Sequence, residues 1–141
     1  MKEPYSELAE KSVLGGILID ADAMARVRPI LDPDDFYLDA HREIYKSMVS
    51  IDTVVDLVTL TGRLQETNRL LKIGGAGYLS DLADSCVSSA NIEQHAQIVK
   101  EKATLRKIVE GAREIAVEAT KPGAKPDQIP TRLSIEMPHL S

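Results

Sequence analysis

From Asn91 to Thr120 the chain contains no proline and a single glycine, Gly111. A helix over this stretch is roughly 45 Å long at about 1.5 Å per residue. A globule made from the residues before it is only roughly 30 Å across, so the helix must overhang its own head. Its apolar stripe nevertheless runs to the far end, through Ile92, Ala96, Val99 and Ala103 and then Ile108, Ala112, Ile115 and Ala119. The overhanging part needs a second helix or a second chain to cover it. The pattern therefore predicts self-association, with Ile108, Ala112, Ile115 and Ala119 as the pairing face. Asn91 followed by Gln94 fits a capping pattern at the helix start.

Strand signals are nearly absent: the one β-branched cluster, Thr53-Val54-Val55, is too short, and apolar residues elsewhere recur at helical spacing. An all-α fold is predicted, a compact helical head over residues 1–90 followed by the long helix over 91–120. In the head, Leu8, Val13, Leu14, Ile17 and Leu18 share one face of a first helix. Asp20 and Asp22 can cap a second, running through Met24, Val27 and Leu31. Asp32 to Phe36 reads as a turn because Pro33 disfavours helix at Asp32. A third helix from Leu38 to about Ile51 turns Ile44, Tyr45 and Met48 inward. Asp56 caps a fourth that carries Leu57, Leu60 and Leu64, and a short helix covers Tyr78 to Asp84. Prolines crowd the chain after Lys121, so residues 121–141 read as a linker and poorly ordered tail.

Composition narrows the function. The net charge is −5 and no large basic face emerges, which argues against strong binding of duplex through its phosphates. The aromatics Tyr5, Phe36, Tyr37, Tyr45 and Tyr78 all precede residue 79, a poor arrangement for stacking single-stranded bases. Cys86 is alone, so there is no intrachain disulfide framework, and the absence of a cationic-then-apolar leader predicts a cytoplasmic protein. No apolar run approaches the roughly 20 residues that span a bilayer.

The stretch "IGGAGYLSDL", Ile73 to Leu82, raises the question of a phosphate at a helix N-terminus. Nothing matches G-x-x-x-x-G-K-[ST], and no strand precedes the glycines as a dinucleotide fingerprint requires. Gly74 and Gly75 are expected instead to end one helix at positive φ and admit close packing before the next. His41, His95 and His139 are far apart with no second ligand one turn away, so no metal site is predicted. His41 is expected on a helix surface beside Arg42. Asp32, Asp34 and Asp35 lack the spacing of a calcium loop and are assigned turn and cap duty. No carboxylate pair is marked as catalytic, and Cys86 has no placed base. Like-charge neighbours on the long helix, Lys102 with Arg106 and Glu110 with Glu114, are either a solvated face or await a partner's charges.

Five stretches in order resemble the N-terminal domain of the bacterial replicative DNA helicase, the DnaB family. They are "VLGGIL" (Val13 to Leu18), "DPDDFYLDAHREIY" (Asp32 to Tyr45), "DLVTL" (Asp56 to Leu60), "LLKIGGAGYLSDL" (Leu70 to Leu82) and "SSANIEQHAQIVKEKATLR" (Ser88 to Arg106). The resemblance implies a head followed by a long helical hairpin, paired with a neighbouring hairpin and assembled as a trimer of dimers, the collar of a hexameric ring. It also implies docking of DNA primase. By position in the motifs, Tyr78, Val109 and Ile115 are candidates for primase or inter-subunit contact; burial within the hairpin is the alternative for the two aliphatic residues. The ATP-hydrolysing, RecA-like motor with its ATP and Mg is expected to lie C-terminal to this domain and outside this chain. The chain itself is expected to be non-catalytic and free of cofactors and metals.

Three departures from the family pattern stand out. The connection between Met48 and Asp56 is short, the first helix carries Leu8-Ala9-Glu10 where Glu-Ala-Glu is frequent, and Pro130 and Pro138 interrupt the region of the second hairpin helix. The leading expectation is a collar module that associates subunits and binds primase or a helicase loader. The rival is a free-standing regulator or decoy subunit of a hexameric helicase. An enzyme binding nucleotide at the Gly74 to Gly77 turn is the least favoured reading.

Overall fold

The structure, a computed structural model, describes residues 3–130. The remainder of the expected tail, with Pro138 and His139, lies outside the described residues. Six α-helices are present among the described residues: α1 (Glu7–Ile19), α2 (Ala23–Val27), α3 (Asp39–Val49), α4 (Leu57–Glu66), α5 (Gly75–Ser85) and α6 (Ile92–Thr120). Single 3-10 turns cover Pro33–Asp35 and Pro126–Gln128, and the described residues contain no strand.

Helix α1 is the centre of the head. Ser6 caps it, its hydroxyl accepting from the Ala9 amide at 3.1 Å. Its buried residues Val13, Leu14 and Ile17 face α3, α5 and α6. Gly15 and Gly16 permit that crowding: a Cβ on Gly15 would collide with the Leu82 carbonyl oxygen of α5, and one on Gly16 would lie 2.7 Å from the Ile92 Cδ1 of α6. Leu8, expected on the inward face, is instead 77% exposed. The buried stripe runs through Glu10, Val13, Leu14 and Ile17, and two residues before Glu10 is on the opposite side of a 3.6-residue turn.

Three other expectations about helix ends change in detail. α2 stops at Val27 rather than continuing to Leu31, because Pro29 has no N–H to offer the next helical bond. A turn, with the Leu31 amide donating to the Val27 carbonyl at 3.1 Å, still brings Leu31 into the core. Asp22 precedes α2 without a side-chain cap bond. Asp20 instead gathers the Asp22 amide, the Arg26 guanidinium and the Ser89 hydroxyl. Those bonds, that from Ser89 foremost, hold its carboxyl below the usual range. Asn91 makes no side-chain cap either: its φ of −104° and ψ of 19° are not the extended geometry a capping side chain needs.

Asp56 caps α4 as expected, accepting from the Thr59 amide while the Thr59 hydroxyl accepts from the Asp56 amide, each at 2.9 Å. Asn68, at φ 57°, closes the far end, with the Asn68 and Arg69 amides donating to the Gln65 and Leu64 carbonyls. On α3, Ile44, Tyr45 and Met48 are fully buried as expected. The Tyr45 hydroxyl donates to the Leu31 carbonyl at 3.0 Å, and burial pushes its pKa up to about 12.

Helix α6 has two unlike halves. Ile92, Ala96, Val99 and Ala103 are buried against the head, but Ile108 and Ile115 are only half-buried and Ala112 and Ala119 are exposed. Leu105 and Val117 are exposed as well. The overhang argued from length is therefore present. At its root, Arg106 donates to the Pro4 and Asp35 carbonyls at 2.8 and 2.7 Å and lies over the Tyr37 ring, which Tyr5 stacks upon. Lys100 pairs with the buried Asp35 at 3.2 Å, and Arg113 with Glu3 at 2.6 Å.

Gly15→Ala is expected to destabilise the domain by about 1–3 kcal/mol, since backbone blocks the new methyl. Gly62→Ala in α4, which has open space around it, should stabilise by about 0.5–1 kcal/mol. Urea titrations of the two variants check this contrast. Tyr45 keeps its proton in the folded state to about 12 and loses it near 10.0 when unfolded. Its contribution is thus complete below pH 10.0 and declines as pH rises toward about 12, a loss on the order of 2 kcal/mol. Subtracting the pH–stability curve of Tyr45→Phe from that of the parent should isolate this alkaline decline.

Candidate partner-binding surface

Tyr78 owes its position to the glycines before it. Leu70 to Ile73 make one helical turn, closed when the Gly74 amide donates to the Leu71 carbonyl and the Gly75 amide to the Leu70 carbonyl. Gly74 and Gly75 have φ of 111° and 80°, conformations that a side chain resists. A Cβ on Gly74 would also lie 2.9 Å from the Tyr78 Cβ. Both glycines have positive φ as expected, but only Gly74 admits close packing, since a Cβ on Gly75 would meet nothing, and the pair starts α5 rather than ending α4, which stops at Glu66.

The Tyr78 hydroxyl meets a buried polar chain. It lies 2.5 Å from His41 Nε2, and the two rings stack with centroids 5.9 Å apart. His41 Nδ1 is in turn 2.8 Å from Glu10 Oε1. The Glu10 carboxylate also accepts from the Tyr37 and Leu38 amides, at 2.8 and 3.4 Å. Glu10 and His41 are each 1% exposed, while Tyr78 is half-buried. Burial pushes the Tyr78 phenol above its usual range, and the charges of Glu7 and Glu10 add to the effect. The expectation that His41 lies on a helix surface is corrected: it shares the inward stripe of α3 with Ile44, Tyr45 and Met48. Its neighbour Arg42 points the other way, to Asp39 and the Phe36 and Tyr37 carbonyls.

The other sequence candidates lie elsewhere. Val109 and Ile115 are half-buried on the distal part of α6 and belong to neither the core cluster nor the hydrogen-bonded chain at Tyr78. Of the proposed pairing face, Ile108 and Ile115 are half-buried and Ala112 and Ala119 open. The structure thus separates two surfaces, one around Tyr78 on the head and one along the overhang. Of the acidic trio, Asp35 combines cap duty with an ion pair: it accepts from the Asp32 amide at 2.8 Å and holds Lys100. Among the described residues no cluster of His, Cys, Asp or Glu has the makings of a metal site.

Glu10 and His41 escaped the sequence reading as a pair, although each carried a signal. Glu10 falls on the apolar stripe of α1 one turn before Val13 and Leu14, and His41 one turn before Ile44 and Tyr45. A charged residue on an inward face requires partners, and each supplies the other's.

A family model described as the DnaB-like helicase N terminal domain matches residues 2–101. The replicative DNA helicase DnaB of Geobacillus stearothermophilus is 42% identical over 116 residues, 80% of this chain and 26% of that protein. The replicative DNA helicase DnaC of Bacillus subtilis (strain 168) is 41% identical over the same shares. The chain thus spans about a quarter of the length of these relatives. The crystal structure of the N-terminal domain of DnaB helicase from Mycobacterium tuberculosis superposes with a TM-score of 0.81 at 37% identity, covering 84% of this chain and 86% of that one. A DnaB-like replicative helicase described with its interactions with primase superposes at 0.74 and 33% identity, over 87% of this chain and 29% of that one. With more than two-thirds of its residues matched by the family model and the same helical fold as these relatives, the chain belongs to the DnaB-like helicase N-terminal domain family.

Proposed function

We propose that this domain is the non-catalytic collar of a replicative DNA helicase, associating its subunits and receiving primase or a loader. The observation that carries the reading is the apolar face of α6 that continues past the head with little of its own chain to cover it. Such a face is stable in water when another helix or chain takes it up. In this reading residues 1–90 are the head, 91–120 the first helix of the hairpin and 121–141 a linker and tail. Ile108, Ala112, Ile115 and Ala119 meet a second copy, in a dimer that serves as the unit of a trimer of dimers. ATP and Mg belong to a motor domain of the parent helicase, with none held by the collar. No helix among the described residues is long and apolar enough to cross a membrane, in keeping with a cytoplasmic replication machine.

Primase is placed on Tyr78 and its surroundings, with Val109 and Ile115 as further contacts with primase or a neighbouring subunit. Support comes from the structural relative described with its interactions with primase, and from a half-buried aromatic residue held rigidly by its neighbours, the type of side chain that anchors interfaces. Strong direct binding of nucleic acid is not part of the function, given a net charge of −5.

Light scattering across a concentration series is expected to give a dimer or higher state, and Ile115→Asp to shift it toward monomer. A monomer at every concentration would refute association through α6. Tyr78→Ala should weaken binding of a primase C-terminal helical domain about tenfold, roughly 1.4 kcal/mol, with an unchanged circular dichroism spectrum. Calorimetry showing equal affinities would remove primase from this surface.

A further inference from the structure

The buried chain from Glu10 through His41 to Tyr78 has a direction. An ionised carboxylate only accepts hydrogen bonds, and that of Glu10 already takes the Tyr37 and Leu38 amides. The proton between Glu10 and His41 therefore sits on Nδ1, which leaves Nε2 of a neutral imidazole as a bare lone pair. Across 2.5 Å the only proton available to that lone pair is on the Tyr78 hydroxyl. The hydroxyl spends its single proton inward and offers the outside only acceptor capacity.

We propose that the Glu10–His41 pair sets the hydrogen-bonding sense of Tyr78 at the surface, so that the site selects a partner segment bringing a donor. The proposal rests on Tyr78 as a partner contact and adds what that contact reads. Glu10 and His41 are positioning residues: both are buried, and they act through the one hydroxyl within a partner's reach. The charged groups around the pair come from α1 and α6: Glu7 and Glu10 act on Tyr78 and Arg106 feels Glu10, while Arg42, next to His41 on α3, turns away to Asp39.

The test pairs a direct readout with a binding readout. Nitrogen NMR of the imidazole of the intact domain at about pH 8 should show Nδ1 protonated and Nε2 unprotonated. At that pH Tyr78→Phe, which keeps the ring, should bind a primase C-terminal helical domain roughly three- to tenfold more weakly than the parent, the worth of one hydrogen bond. His41→Asn, which removes the acceptor at Nε2, should weaken binding as well and should have no further effect in the Tyr78→Phe background. A proton on Nε2 at about pH 8 overturns the inference whatever primase does, and equal binding by Tyr78→Phe overturns its partner half. Equal binding by Tyr78→Ala overturns the primase assignment itself, leaving the NMR result to decide the sense of the hydroxyl.

Discussion

The head is organised by how closely other helices approach α1. Two adjacent glycines on consecutive positions of a helix open two directions at once, and Gly15 and Gly16 give one to the backbone of α5 and the other to Ile92 at the start of α6. Because α5 and α6 are both seated on α1, the distances between all three are set by a missing methyl group on either side. A helix interior with two glycines loses roughly 1 kcal/mol of propensity for each. The dense apolar packing around Val13, Leu14 and Ile17 offsets that loss.

A second consequence of that closeness is polar. With α1, α3 and α5 drawn together, Glu10 is removed from water, and its charge must be met within the protein. Two backbone amides at the start of α3 and one imidazole meet it. The same imidazole reaches the outer layer through Tyr78. Buried networks of this type, fully satisfied, favour one arrangement over near alternatives. The described residues contain no buried side-chain polar atom without a partner, so the network has no loose end except the half-buried hydroxyl.

Much of this was legible beforehand because helical periodicity reports burial directly. The stripes on α3 and the first half of α6, the Asp56 cap and the positive-φ glycines at the start of α5 all follow from local chemistry. What failed did so where a residue's own type outvoted its position. The polarity of His41 and its neighbour Arg42 point to the surface, while the apolar side chain of Leu8 points to the core. Both lie where the 3.6-residue period puts them. The side-chain caps expected from Asp22 and Asn91 failed for another reason: a capping residue type is only a donor's opportunity, and the backbone angle at the position decides whether it is used. The meeting of Glu10 with His41 is a tertiary event between segments 31 residues apart, and no local pattern encodes it.

The anchoring of α6 also has a mechanical side. Arg106 clamps the helix to two backbone carbonyls and an aromatic ring, and Arg113 adds one exposed ion pair to Glu3. Beyond the clamp the helix is a cantilever about 21 Å long. A tilt of about 10° at its root, small enough for side chains to absorb, displaces the tip by roughly 4 Å over that length. Strain applied to the tip returns to the root with the same leverage, and the root rests on the carbonyl of Asp35, in the turn that leads into α3. The overhang is thereby a stiff arm through which a load at one end of the domain is felt beside the buried chain at the other.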